Sequence, residues 1–177
     1  MKLDAQGWFS GVRRVPSPNF DSRPPGVPVR LLIIHNISLP PNEFGGDGVR
    51  QLFTNTLDPD AHPYYEQLKG VKVSSHFFIR RNGEIVQFVS CLRRAWHAGL
   101  SSWQGQTRCN DFSIGIEMEG SDFVPFEETQ YRRLSYLTRH LQSAYRFQDI
   151  VGHADVAPAR KTDPGPCFDW DRYRKSI

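Results

Sequence analysis

Val29 to Asn36 is a nearly continuous apolar run rich in Ile, Val and Leu, closing on the polar pair His35-Asn36. Such a run predicts a strand buried on both faces. Ser75–Arg80 and Glu84–Val89 predict two more strands, joined through Asn82-Gly83, a dipeptide that accepts the positive φ angles of a tight hairpin turn. Phe112–Glu119 alternates strictly, with Phe112, Ile114, Ile116 and Met118 on one side and Ser113, Gly115, Glu117 and Glu119 on the other. This predicts a strand with a core face and a face that holds acids. Tyr131, Leu134, Leu137, Leu141 and Tyr145 recur at three- and four-residue intervals, predicting an amphipathic helix over Glu127–Arg146 that covers a sheet. Shorter helical segments are expected around Val49–Thr56 and over Trp170–Lys175, and Ile150-Val151 reads as a last short strand ending at Gly152-His153.

Five of the 13 prolines fall in residues 13–28. Proline lacks the backbone donor that helices and sheets need, so residues 1–28 are expected to form an irregular, proline-rich entry segment. A hairpin beside separated parallel-type runs implies an α/β fold with a central mixed β-sheet flanked by helices. A chain of 177 residues supports one such domain, residues 1–177.

Composition narrows the function classes. With 38% hydrophobic and 23% charged residues the chain is globular rather than disordered. Its net charge of +3 falls far short of the dense basic stripe of a nucleic-acid binder, so no nucleic-acid partner is expected. The longest apolar stretch, Leu31 to Ile34, is far below the ~20 residues of a membrane span, and no apolar segment follows the charged start. Neither a membrane partner nor an export signal is expected. Cys91, Cys109 and Cys167 form an odd set without a C-x-x-C pair, which points to a reducing, cytoplasmic setting rather than a disulfide framework.

His35 and His153 each end a short apolar strand, where a rigid scaffold holds an imidazole at the rim of a cleft. Lys161 and Asp163 stand two apart ahead of Pro164, which biases its predecessor to an extended conformation, so a cation and a carboxylate face one site. In a zinc hydrolase three protein ligands leave a position for water, and a neighbouring cation stabilises the oxyanion. The same residues read equally as an exposed Lys–Asp pair in a proline-rich loop. Glu117 lies two residues after Gly115 and is placed to act as general base, but Glu119 shares its face and spacing does not rank the two. His76 and His97 remain candidate ligands. The loop from Arg93 to Arg108 carries Trp96 and Trp103, whose indole faces suit a sugar, and arginines whose forks suit carboxylates.

LLIIHNISLPPNEFGG, SSHFFIRRNGEIVQFV, RRAWHAGLSSWQGQTRCNDFSIGIEMEG and GHADVAPARKTDPGPCFDW together resemble the 1,6-anhydro-N-acetylmuramyl-L-alanine amidases of bacterial cell-wall recycling. These belong to the wider N-acetylmuramoyl-L-alanine amidase and peptidoglycan-recognition superfamily, and the resemblance covers nearly the whole chain. It implies the zinc amidase fold, with Zn2+ held by His35, His153 and Asp163. It implies Glu117 as general base and Lys161 as stabiliser of the tetrahedral intermediate, which leaves His76 and His97 structural or supporting roles. It implies substrate contacts from Asn36, Lys72, Trp96 and Arg108, with Trp96 near the anhydro sugar and Arg108 near the stem-peptide carboxylates. Lys72 stands where close relatives are expected to carry arginine, so the charge is kept and the bidentate fork is lost. Cys167 follows the third ligand closely and is expected to be a small apolar residue rather than a ligand. The implied reaction is hydrolysis of the amide joining the lactyl group of 1,6-anhydro-N-acetylmuramic acid to L-alanine, with the anhydromuropeptide as partner and the chain acting as a monomer. Two rival readings are an endolysin-like amidase acting on polymeric peptidoglycan and a non-catalytic peptidoglycan-binding module.

Overall fold

The apolar run near residue 30 becomes strand Leu31–Ile37, whose first five residues are all buried. The computed structural model describes residues 1–177. In chain order the strands are β1 (Arg13–Arg14), β2 (Phe20–Ser22), β3 (Leu31–Ile37), β4 (Phe77–Ile79), β5 (Ile85–Gln87), β6 (Arg93–Ala95), β7 (Ser102–Trp103), β8 (Gln106–Thr107), β9 (Ser113–Glu119) and β10 (Asp149–Gly152). The α-helices are α1 (Gly48–Phe53), α2 (Glu128–Ala144), α3 (His153–Val156) and α4 (Trp170–Lys175).

Six strands form one mixed sheet in the order β1-β5-β4-β9-β3-β10. The expected hairpin is its one antiparallel pairing, β4 with β5, turned by Gly83 at φ 85°. The neighbours β4, β9, β3 and β10 all run parallel. Parallel strands need covered faces, and both faces are covered here. On one face Leu32, Ile34, Ile114, Ile116 and Met118 pack against Leu134, Leu137 and Leu141 of α2. Burying each of those fully enclosed leucines contributes roughly 1.5–3 kcal/mol. Gln130 completes the start of α2: its side chain accepts from Glu127 N and donates to Ile79 O and Glu119 O, tying the helix to the sheet. On the other face Leu31, Ile33 and Val151 pack beneath Ala98, Cys109 and Phe112, while Phe78 and Val86 meet Val49, Leu52 and Phe53 of α1.

All seven residues of β9 are buried, including Glu117 and Glu119 on the side that holds the acids. β9 is central in the sheet, and the loop of residues 96–112 lies over that side. The entry segment is less irregular than its prolines suggest. β1 pairs with β5, β2 pairs with β6, and Arg23 is inserted behind β9, donating to Ser113 O at 2.8 Å and to Asn110 O at 3.1 Å. Burial lowers the pKa of Arg23 to about 10.

Candidate metal centre and active site

Strand register builds the site. β3 pairs with β9 so that His35 lies opposite Glu117, and β10 pairs with β3 so that Gly152 lies opposite Ile34, one residue before His153. Side chains at matching positions of parallel neighbours point to the same face. Three adjacent strands therefore deliver Glu117, His35 and His153 in a row at their carboxyl ends, the usual place for a site in an open α/β sheet. His153 opens α3 rather than closing the strand, because Gly152 N is capped by Asp155 Oδ2 at 2.7 Å.

Asp163 arrives from a loop and is held against that row by its backbone. Its carbonyl accepts Ala154 N at 2.8 Å. A Cβ on Gly152 would fall 2.7 Å from Pro164 Cδ, so only glycine lets the Asp163-Pro164 turn approach. The result is a tight group: His35 Nδ1 and His153 Nδ1 are 3.0 Å apart and each is 3.1 Å from Asp163 Oδ2.

The donor set fits a divalent cation on its own chemistry. His153 Nε2 faces Ala98 O at 3.1 Å, and a carbonyl only accepts, so that nitrogen carries the proton. Unprotonated at Nδ1, His153 would turn a bare lone pair toward a carboxylate oxygen and a second imidazole nitrogen. Acceptors so crowded repel unless a cation lies among them. Two imidazoles and one carboxylate are the ligand types of a catalytic zinc site. His35 and His153 are buried, and the Asp163 side chain is 13% exposed, which leaves the group one open side. Burial pulls the pKa of His35 down to about 4 against the opposing pull of Asp163. Burial alone would raise that of Asp163, but the hydrogen bonds and charges of His153 and His35 hold it below its ordinary value.

Glu117 stands beside the group, with Oε1 4.0 Å from His35 Nδ1. Its Oε2 is buried and takes no hydrogen bond from the protein. Burial, then the Asp163 charge, push its pKa well above the ordinary carboxylate value, and Lys161 opposes the shift. Glu119 does different work: it accepts Gly45 N at 2.6 Å and Arg81 N at 2.8 Å and so pins the loop after β3. Glu119 is thus engaged by backbone donors, whereas Glu117 keeps a carboxylate oxygen without a partner.

The other candidates from the sequence take different places. Asn36, on the alternate side of β3, donates to Asp122 Oδ1 at 2.8 Å and Pro164 O at 3.0 Å, tying the strand to the Asp163 turn. Trp96 is half-buried, with its backbone N–H on Ser74 Oγ. Arg108 is exposed, in left-handed conformation at φ 62°, and lines a cavity of about 490 Å³ with Gly99, Leu100, Val156 and Arg160. Lys72 lies elsewhere, lining a hollow of about 170 Å³ with Leu52 and Tyr65, and does not join the group around Asp163. His76 and His97 are buried behind the ligands, His76 accepting Gly115 N and facing Arg93 O. Cys167 Sγ donates to Asp122 O, outside the donor set. Sequence reasoning missed Arg23, Asn110 and Arg160, whose signal is only an arginine or amide in a loop.

A mixed α/β sheet presents at its strand ends a His-His-Asp cluster able to bind a metal, beside an unpartnered buried carboxylate, an arrangement suited to a hydrolase. Residues 25–166 match the N-acetylmuramoyl-L-alanine amidase family, and the chain belongs to that family. It is 54% identical over 171 residues to the 1,6-anhydro-N-acetylmuramyl-L-alanine amidase AmpD of Escherichia coli K12, covering 96% of this chain and 93% of the relative. The crystal structure of a selenomethionine AmpD derivative superposes with a TM-score of 0.97 at 52% identity, covering 100% and 99% of the two chains. The E. coli amidase AmiD in complex with anhydro-N-acetylmuramic acid-L-Ala-D-γ-Glu-L-Lys is similar at 33% identity and TM-score 0.61, over 86% of this chain and 59% of that one.

Proposed function

We propose that this amidase hydrolyses the amide between 1,6-anhydro-N-acetylmuramic acid and L-alanine in anhydromuropeptides, as part of peptidoglycan recycling, with His35, His153 and Asp163 holding Zn2+. The observation that carries this reading is the convergence of three ligand atoms within 4.8 Å beside the unpartnered Oε2 of Glu117. Zinc bound by these residues would supply Lewis acidity and make a water more acidic. Glu117 takes the proton of the water whose oxygen attacks the lactyl carbonyl carbon. Burial and the Asp163 charge raise its pKa, which makes it a stronger base. Lys161, whose charge is felt at both His35 and Glu117, faces the oxygen on which negative charge develops. As the carbon–nitrogen bond breaks, Glu117 returns its proton to the L-alanine nitrogen. The products are a free lactyl carboxylate and a free amine.

Substrate placement follows from the rim. The cavity lined by Arg108 and Arg160 lies next to α3 and offers two guanidinium groups to stem-peptide carboxylates. Trp96 supplies an indole for the anhydro sugar, and the free Oδ1 of Asn36 is its remaining polar group for a substrate N–H. Lys72 supplies a more distant positive charge. No helix is long and apolar enough to cross a membrane. The three free cysteines support a reducing, cytoplasmic setting.

Mass spectrometry of products from 1,6-anhydro-N-acetylmuramyl-tripeptide, run beside intact sacculi before and after zinc chelation and restoration, tests the proposal. Zinc-dependent release of free anhydromuramic acid and tripeptide, with sacculi nearly untouched, is the expected result. Strong sacculus cleavage would assign the chain to polymer digestion instead.

A further inference from the structure

Both histidines of the cation site are steered from behind by consecutive residues of one loop. His153 Nε2 donates to Ala98 O at 3.1 Å, and His35 Nε2 lies 2.9 Å from His97 Nδ1. His97 Nε2 in turn lies 3.2 Å from Ser113 Oγ. The His97–Ala98 backbone is itself clamped. Asn110 Oδ1 accepts both its N–H groups, from His97 at 3.2 Å and from Ala98 at 2.8 Å, and Arg160 Nη2 donates to Ala98 O at 2.8 Å. The His97 ring lies directly on β9, since a Cβ on Gly115 would fall 2.5 Å from its Nδ1 and 2.6 Å from its Cγ. Only a glycine at that position leaves room for the imidazole.

Proton counting gives this arrangement a consequence. A neutral imidazole has one donor nitrogen and one acceptor nitrogen. If His97 donates through Nε2 to Ser113 Oγ, its Nδ1 accepts, and His35 must then carry its proton on Nε2. The Nδ1 lone pair of His35 is thereby left toward Asp163. In the opposite tautomer His97 would protonate the wrong side of the pair and leave His35 Nδ1–H against His153 Nδ1. Ala98 O makes the same choice for His153.

We infer that the His97–Ala98 segment, clamped by Asn110, is the positioning element of the metal centre, fixing both histidine ligands in the Nε2–H tautomer with Nδ1 free to bind. The inference rests on the proposed metal reading and adds residues that reading does not contain. His97 and Asn110 are positioning residues: they act through His35 and His153, and the loop that carries Trp96 and Arg108 thereby also shapes the centre.

The test uses the full-length protein, with zinc affinity read by chelator competition and ring tautomers by long-range ¹H–¹⁵N NMR. His97→Leu removes the acceptor, whereas His97→Asn keeps an oxygen at the Nδ1 position. His97→Leu is expected to weaken zinc binding by about 10–100-fold, the usual effect of losing such a supporting partner, and to erase the Nε2–H signature of His35. His97→Asn is expected to recover most of both. Asn110→Ala, with Asn110→Asp as its conservative counterpart, tests the clamp and keeps the inference open to refutation should His97→Leu fail to fold. Folded variants that bind zinc within twofold of wild type, with both histidines still protonated at Nε2, would overturn the inference while leaving the metal reading intact. A wild-type protein that binds no zinc would overturn both.

Discussion

His35 and Glu117 are register partners on the adjacent parallel strands β3 and β9, with 4.0 Å between His35 Nδ1 and Glu117 Oε1. The spacing between the proposed metal ligand and the proposed base is set by the hydrogen-bonded ladder of the sheet rather than by a loop. Glu119, two residues on along the same side, is drawn away by the backbone of Gly45 and Arg81.

Glu117→Gln should therefore retain zinc while losing turnover by about 10²–10⁴-fold, the range for a deleted acid–base group. Glu119→Gln should keep turnover within a few-fold. Steady-state hydrolysis of 1,6-anhydro-N-acetylmuramyl-tripeptide, with zinc content measured in parallel, separates the two. Near wild-type rates for Glu117→Gln would remove it from the mechanism.

The pH dependence has a definite sign. Burial, then Asp163, raise the pKa of Glu117, so the carboxylate needed for proton transfer is lost as pH falls through that raised value. In the metal-free protein the titration of Glu117, followed by carboxyl ¹³C NMR, should therefore lie above the ordinary carboxylate range, and Lys161→Met, by removing the opposing charge, should move it higher. For the metal-free fold the same shift means that protonated Glu117 stabilises below its unfolded pKa and that this contribution disappears as pH rises through the folded one. Glu117→Gln should then gain stability relative to wild type with rising pH in denaturation curves of chelated protein.

Lys161→Ala should lower kcat by about 10²–10³-fold, as loss of an oxyanion donor does, with a smaller change in KM. A rise in KM at constant kcat would instead make Lys161 a ground-state binding residue.

Chelation should abolish activity and lower the thermal midpoint, because a ligand that binds only the folded state stabilises it. At a hundredfold excess over Kd the gain is about 2.7 kcal/mol. Differential scanning calorimetry of chelated and zinc-restored protein measures it. His35→Ala should show no zinc-dependent shift.

Arg23→Met should destabilise the fold on the order of 3 kcal/mol, since it strands the carbonyls of Ser113, Asn110 and Asp111 without their buried donor. Urea denaturation checks this. A change within experimental error would show that the entry segment is dispensable to the core.

Much of this architecture is written locally in the chain. A run of Ile and Leu before His35, the leucine spacing of α2 and the Asn82-Gly83 turn each reflect a preference that acts over a few residues, and each element forms within a few residues of its expected bounds. The resemblance carried by four motifs in order implied that His35, His153 and Asp163 come together, and they do cluster. What alternation along β9 did not show is that its polar side is also buried, because a period of two reports a difference between faces and not what covers either. The partners of Glu117 and Glu119, the clamp of Asn110 on His97–Ala98 and the burial of Arg23 were likewise settled only in three dimensions. Each depends on the order β9-β3-β10 and on loops returning across the sheet. Residues 35, 117 and 153 meet because parallel pairing aligns strand ends distant in sequence, and residue 163 joins them from a returning loop, a long-range geometry that local pattern does not encode.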